Sequence, residues 1–175
     1  MKKPIIIGAI AIAFIGIGIA LSIPDQKLSE LKTSGDSSAE QIGQSFENLG
    51  RKHIESQVEP DPYNSNPPTS GDHLANPADW GVYQNELPDK QLVHNLEHGG
   101  IWISYKDVDQ ETKAKIEAIG KANPGSVIVT PRAANDSKIV VAAWTRLEKM
   151  ESYDEAKILE FIKANKNKSP EPLAN

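Results

Sequence analysis

The fold is decided by residues 101–145, which read IWISYKDVDQETKAKIEAIGKANPGSVIVTPRAANDSKIVVAAWT. Residues 101–105 follow two glycines and are β-branched or aromatic at most positions, so they predict a strand. Asp107 and Gln110 form a capping pair that opens a helix, which runs to about Lys121 and ends at an Asn-Pro-Gly turn. A strand that leads directly into a helix therefore begins the regular part of the chain.

Two further β-rich runs and another helix follow. Residues 126–130 and 138–145 are separated by a loop of seven residues, which predicts a hairpin. Ser152 and Glu155 form a capping box that opens a last helix with an apolar face. The order strand, helix, strand, strand, helix predicts the α+β class. We expect a small antiparallel or mixed sheet of three or four strands with two or three helices packed on it.

The composition excludes several classes of protein. The chain has 175 residues, of which 38% are hydrophobic and 25% charged, and it has no cysteine. Disulfide scaffolds, thiol redox centres, cysteine-bound zinc and iron–sulfur clusters are therefore excluded. The net charge of −5 provides no excess of cations to neutralise phosphates, so a nucleic-acid-binding function is not expected.

The N-terminus carries an apolar segment. Residues 5–23 are nineteen positions with Ser22 as the one polar side chain, and Lys2 and Lys3 precede them. A helix of this length covers about 28 Å, close to the hydrocarbon core of a bilayer. It predicts a single-pass membrane anchor with the C-terminal part outside the cytoplasm, because the lysines stay inside. The competing interpretation is a signal peptide cleaved after Ser22, which also exports the rest of the chain.

The remaining sequence divides at changes in composition. We expect an anchor over residues 1–24, a polar linker over residues 25–49 and one domain over residues 50–172. Within the domain, residues 53–80 are dense in proline and asparagine, which predicts a fixed irregular loop. A loop of this length in a compact domain more often has a function than serves only as a connection.

Histidine spacing gives the strongest chemical signal. All four histidines lie between His53 and His98, and two of them, His94 and His98, are four residues apart. On a helix this spacing puts both rings on one face with Cβ atoms about 5 to 6 Å apart, close enough to bind one metal ion. In a strand the same rings would be about 13 Å apart. A metal site therefore requires a helical turn at this point.

Two imidazoles need at least one further donor, and His73 and His53 in the preceding loop are the candidates. Neutral imidazole suits zinc, copper, iron or nickel, of which copper or zinc is expected here. A thioether copper(I) site is not expected, because Met150 is the one methionine besides the initiator. Glu97 has three possible roles: a ligand, a carboxylate that orients a bound ring, or a general base acting on metal-bound water.

Two other functions remain open. A metal with an open coordination position and Glu97 as base would make a small hydrolase or oxidase. The letters H-x-x-E-H at residues 94–98 also match the inverzincin protease signature, but it specifies only three positions, and a domain of about 125 residues leaves little room for a peptide-binding cleft. Alternatively, the histidines hydrogen-bond loop carbonyls, and the proline-rich loop forms a metal-free interaction module. The sequence identifies no protein partner.

Three motifs place the chain beside a known family. They are Gly-Arg-Lys-His at 50–53, Tyr-Asn-Ser-Asn-Pro-Pro-Thr-Ser-Gly-Asp-His at 63–73 and Leu-Val-His-Asn-Leu-Glu-His-Gly at 92–99. With these motifs the chain resembles the family called domain of unknown function 3105 over about residues 50–172. The resemblance implies a small exported domain behind a single membrane segment and no settled activity. The motifs contain all five candidate metal ligands, which are His53, His73, His94, Glu97 and His98.

Overall fold

The structure is a computed structural model, and it describes residues 40–56 and 63–175. Its strands and helices, numbered in chain order, are β1 (Gln44–Ser45), β2 (His53–Ile54), β3 (His73–Leu74), β4 (Gly81–Val82), α1 (Asp89–Glu97), β5 (Ile101–Tyr105), α2 (Gln110–Ala122), β6 (Val127–Pro131), β7 (Ile139–Ala143), β8 (Arg146–Met150) and α3 (Glu155–Asn165). None of these helices has the length and apolar composition needed to cross a bilayer. The predicted anchor at residues 5–23 lies outside the described residues.

Six of the strands form one mixed sheet in the order β1-β8-β7-β5-β6-β4. Strands β4, β5 and β6 are parallel, whereas β7 runs antiparallel to both β5 and β8. Strands β2 and β3 form a separate two-stranded parallel sheet. The α+β class is confirmed. The expected three or four strands were too few, because the edge strands β1 and β4 have two residues each and show no alternating pattern.

The predicted hairpin between residues 126–130 and 138–145 is wrong. Helix α2 crosses over the sheet and brings β6 parallel to β5, and β7 then pairs with the opposite edge of β5. Strand β5 therefore separates the two strands that were expected to pair. The hairpin lies one step later, between β7 and β8, where Trp144 and Thr145 form the turn and Thr145 adopts a φ of 57°.

Both faces of the sheet are buried. Side chains of β5, β6 and β7 alternate between two hydrophobic cores, and all five residues of β5 are buried. One core contains Ile103 and Phe161 and receives helices α2 and α3. The other contains Trp102 and Leu96 and receives helix α1. Burial on both faces explains why these strands are nearly continuous apolar runs in the sequence.

Helix α1 confirms the helical turn that the histidine spacing required. Leu92, Val93 and Leu96 are fully buried on one face and hold the helix against the sheet. On its other flank, the Asn95 amide accepts from the backbone N–H of Ala78 and donates to the carbonyl of Ala78, both at 2.9 Å. The helix is thus fixed on two sides, which also fixes the polar side chains that it carries.

The folded domain begins before the predicted boundary at residue 50. Gln44 pairs with Leu147, so part of the predicted linker forms the edge strand β1. The backbone passes close to the core here: a Cβ atom at Gly43 would lie 2.7 Å from the Phe161 ring. The polar composition of residues 25–49 concealed this, because a two-residue edge strand buries little apolar surface.

We expect Asn95→Ala to lower the free energy of unfolding by about 1 to 3 kcal/mol, since it leaves a buried N–H and a buried carbonyl of Ala78 unpaired. Urea unfolding of the full chain measures the change. In the structure Asp109, and not the predicted pair of Asp107 and Gln110, caps α2, so Gln110→Ala removes only an exposed amide; it is the control and should stay within about 0.5 kcal/mol. Equal effects of the two substitutions would contradict this role of Asn95.

Candidate metal centre

The small parallel sheet brings two distant histidines side by side. In the pairing of β2 with β3, His53 lies opposite His73, although twenty residues separate them in sequence. The backbone N–H of His73 donates to the carbonyl of Lys52 at 3.0 Å and stabilises this register. Partners in a parallel pair direct their side chains to the same face. Both rings lie next to the ring of His94 on helix α1.

Helix α1 adds two more side chains to the same place. His94 and Glu97 are one turn apart on the helix, so they share a face. The rings of His53, His73 and His94 form a nearly equilateral triangle, with centroid separations of 5.0, 4.8 and 5.0 Å. Three imidazoles bound to one tetrahedral ion at about 2.1 Å would place their centroids about 5 Å apart. The three rings are therefore spaced as a shared ion requires.

One atom from each of four residues contributes to this cluster. A ring nitrogen from each of the three histidines and a carboxylate oxygen of Glu97 all lie within 4.8 Å of one another. We call His53, His73, His94 and Glu97 the His3Glu cluster. Their side chains come from three separate segments, β2, β3 and α1. This cluster is the group of described residues that could hold a metal ion.

Backbone carbonyls determine which nitrogen of each buried ring carries hydrogen. The Nδ1–H of His73 donates to the Gly71 carbonyl at 2.8 Å, and that of His94 donates to the Leu74 carbonyl at 2.7 Å. In a neutral ring the Nε2 atom then has a free lone pair. Metal-binding histidines commonly show this arrangement, in which the second nitrogen donates to a carbonyl and fixes the ring.

The contact between His73 and Glu97 needs a positive charge or a hydrogen between its two atoms. Nε2 of His73 lies 3.0 Å from Oε2 of Glu97, so in the neutral ring with hydrogen on Nδ1 two acceptor atoms face each other. Such a contact is favourable only when a proton or a cation lies between the two atoms. A protonated His73 ring would form an ion pair with Glu97. A bound metal ion would instead accept one lone pair from each of the two residues.

Glu97 is a buried carboxylate that several basic groups surround. Its side chain is 2% exposed. Nη1 of Arg51 lies 3.4 Å from its Oε1 atom, and Nε2 of His53 lies 3.5 Å from its Oε2 atom. A buried carboxylate needs such partners, because removal from water is costly for an unpaired charge. These two basic groups therefore lie in or next to β2, the strand that also carries the candidate ligand His53.

His98 lies beside the cluster rather than in it. Its Nε2 atom is 3.1 Å from Nε2 of His94, and because the lone pair of His94 is free, the His98 N–H is the donor. The predicted proximity of the two rings on one helix face is therefore confirmed. The four atoms that share a centre, however, include those of His53 and Glu97 and not that of His98.

The sequence interpretation missed two charged residues at the site. Arg51 bridges the carboxylates of Glu97 and Glu171, with an Nη1–Oε1 distance of 2.7 Å to Glu171. Oε2 of Glu171 lies 3.5 Å from Nε2 of His98. Arg51 is two residues from His53, which was a usable signal. Glu171 is 120 residues from Arg51, and nothing in the sequence links the two.

The rings differ sharply in exposure. The side chain of His73 is fully buried, whereas that of His53 is 49% exposed, so the cluster opens to solvent on one side. Burial lowers the pKa of His94, and the nearby rings of His98, His73 and His53 lower it further, against the Leu74 carbonyl, which raises it. A lowered pKa keeps the His94 ring neutral, which is the form that binds metals.

Comparison with known proteins agrees with the motifs. Residues 53–175 match the family model described as "Protein of unknown function (DUF3105)". The chain belongs to the DUF3105 family. The DUF3105 match begins at His53 and therefore contains the whole His3Glu cluster together with His98 and Glu171. No curated protein and no solved structure matches this DUF3105 chain.

The lowered pKa of His94 predicts how the stability of the metal-free protein depends on pH. Below about pH 6.5 the unfolded chain protonates this ring while the folded chain does not, so the free energy of unfolding falls as the pH falls toward the folded pKa. Urea unfolding at several pH values, with a chelator present, measures the slope. His94→Gln should flatten it, and an unchanged slope in that variant would contradict the assignment.

Proposed function

We propose that this DUF3105 protein binds one divalent transition-metal ion, zinc or copper(II), through His53, His73, His94 and Glu97. One observation carries the proposal: ligand atoms from β2, β3 and α1 lie within 4.8 Å of one another. The carbonyl bonds at Nδ1 of His73 and His94 support it, because they leave Nε2 of both rings free for an ion.

The donor types favour these metals. Three imidazoles and one carboxylate suit zinc and copper(II), whereas magnesium and calcium prefer sets made only of oxygen. The chain has no thiolate to offer, and Met150 belongs to the core on the opposite side of the sheet from α1. A divalent cation would also compensate the buried carboxylate of Glu97 more completely than Arg51 does at 3.4 Å.

The metal-free alternative explains only half of the ring contacts. It requires the histidine rings to hydrogen-bond to loop carbonyls, and the Nδ1–H groups of His73 and His94 do so. Their Nε2 atoms instead face Glu97 and His98, which are not loop backbone. To explain the contact of His73 Nε2 with Glu97 as well, the metal-free alternative needs a protonated His73 ring, whereas a metal ion satisfies that contact with the neutral ring.

The enzyme alternative assigns a different role to Glu97. A general base must stay off the metal so that it can take a proton from bound water. Oε2 of Glu97 is instead one of the four mutually close ligand atoms, 3.0 Å from His73 and 3.5 Å from His53. This position supports a ligand, so we propose metal capture or delivery rather than catalysis.

We also propose that the domain works outside the cytoplasm, with residues 5–23 as its membrane anchor. The support is the length of the uncharged apolar segment and the two lysines that precede it. A metal-binding domain at this location would capture, deliver or sense an ion at the cell surface.

Titration of the full chain in detergent with Zn²⁺ and with Cu²⁺ tests the site. The wild type should bind one ion, and at one hundred times Kd the ion should raise the free energy of unfolding by about 2.7 kcal/mol. His73→Ala and His94→Ala should each weaken binding more than about 100-fold, because each removes a ligand. Glu160→Gln, on the exposed face of α3, is the control and should bind like the wild type. Equal affinity in the wild type and both histidine variants would refute the site.

The Glu97→Gln variant distinguishes a role of Glu97 as a metal ligand from a role as a general base. As a ligand, Glu97 contributes charge and an oxygen, so its substitution should weaken metal binding by about 10-fold or more. As a base it would leave the affinity nearly unchanged. The same titration measures the difference, and undiminished affinity in Glu97→Gln would restore the enzyme hypothesis.

A further inference from the structure

Metal donors continue beyond the His3Glu cluster toward the surface. Nε2 of His94 is 3.1 Å from Nε2 of His98, and Nε2 of His98 is 3.5 Å from Oε2 of Glu171. The His94 and His98 rings are nearly perpendicular, with centroids 4.5 Å apart. His98, at the end of α1, thus lies in contact distance of both His94 and Glu171, and His94 also belongs to the cluster.

The C-terminal segment is built to hold Glu171 at this place. The backbone N–H of Glu171 donates to the carbonyl of Glu97 at 3.1 Å, and the N–H groups of Leu173 and Ala174 donate to the carbonyl of His98. Pro170 and Pro172 flank the glutamate and restrict its backbone. The segment therefore occupies the end of helix α1, where the last carbonyls would otherwise lack partners.

Arg51 orients the carboxylate of Glu171. Nη1 of Arg51 binds Oε1 at 2.7 Å, which leaves Oε2 toward His98. A glutamate at the surface usually samples many rotamers, and an arginine partner reduces this freedom. The carboxylate is thus presented to the ring of His98 instead of to bulk solvent.

Exposure falls along this row of donors, whereas on the other side of the cluster the side chain of His53 is 49% exposed. The side chain of Glu171 is 45% exposed and that of His98 is 22% exposed. His94 is 4% exposed, and the side chains of Glu97 and His73 are 2% and 0% exposed. His98 is close enough to share one ion with Glu171 and then with His94. An ion could therefore lose its water ligands one at a time as it moves inward.

We infer that His98 and Glu171 form an entry position for a divalent metal ion, which then passes through the shared ring of His94 into the His3Glu cluster. The inference rests on the proposed function and adds the route that the ion takes. On arrival the ion replaces the hydrogen bond between His98 and His94: the partly exposed His98 ring releases its Nε2 proton to water and keeps or takes up a proton at Nδ1, so that both Nε2 lone pairs face the ion. Once the ion is bound in the His3Glu cluster, His98 and Glu171 no longer contact it. They therefore affect the rates of metal entry and exit but are not among the final ligands.

The structure supplies a reporter for the kinetics. The ring of Trp144 is 6.4 Å from that of His73, and Trp144 is 4% exposed. Bound Cu²⁺ quenches tryptophan fluorescence over such distances, so stopped-flow mixing of Cu²⁺ with the full chain follows entry. Mixing of the loaded protein with an excess of chelator follows exit. Both runs use at least 0.15 M salt, which screens long-range attraction by surface charges.

His98→Gln and Glu171→Gln should each slow both entry and exit at least about fivefold, with Kd changed less than about threefold, because an entry position lowers the barrier in both directions. Glu160→Gln removes the same charge on exposed α3 and should leave both rates unchanged. Glu171 is exposed, so its variant tests the route even if His98→Gln fails to fold.

Three results would overturn the inference while the proposed function stands. They are unchanged rates in both variants, faster exit with weaker Kd in His98→Gln, and two tightly bound ions in the wild type. The second result would make His98 a permanent ligand, and the third would make the row of donors a two-metal centre. Absence of any Cu²⁺ binding by the wild type would instead refute the proposed function and the entry position together.

Discussion

The buried carboxylate of Glu97 is the constraint on which the candidate site depends. A carboxylate with 2% of its side chain exposed is stable only if positive or hydrogen-bonding groups surround it. In this fold Arg51, His53 and His73 approach it, and all three lie in the segments around β2 and β3. The small parallel sheet and helix α1 must therefore meet at one place, which makes a histidine-rich centre a consequence of the packing.

The sequence predicted the parts of the site that are local and missed those that are not. The spacing of His94 and His98 required a helical turn, and α1 provides it. The pairing of His53 with His73 could not be foreseen, because each belongs to a strand of two residues with no periodic pattern. Arg51 and Glu171 meet across 120 residues, a distance over which a single sequence carries no signal. The proline-rich loop carries His73, and its functional role stays a prediction that depends on the proposed metal site.

The same division holds for the fold. Elements with a full apolar period were predicted correctly: α2, α3 and the central strands. Their arrangement was not, since residues 126–130 and 138–145 each look like half of a hairpin. What decides the pairing is the crossover by α2, which puts β6 on one edge of β5 and leaves the other edge to β7. Local patterns determine what each segment becomes, whereas chain connectivity determines where it goes.

The two-residue edge strands have a consequence for self-association. An open sheet exposes unpaired N–H and carbonyl groups along its outer strands, and long, flat outer strands are templates for aggregation. Here the sheet ends on one side at Gln44–Ser45 and on the other at Gly81–Val82. Each rim therefore offers only a short length of free backbone to another chain. Short outer strands of this kind disfavour edge-to-edge pairing through β1 or β4 with a second copy of the chain.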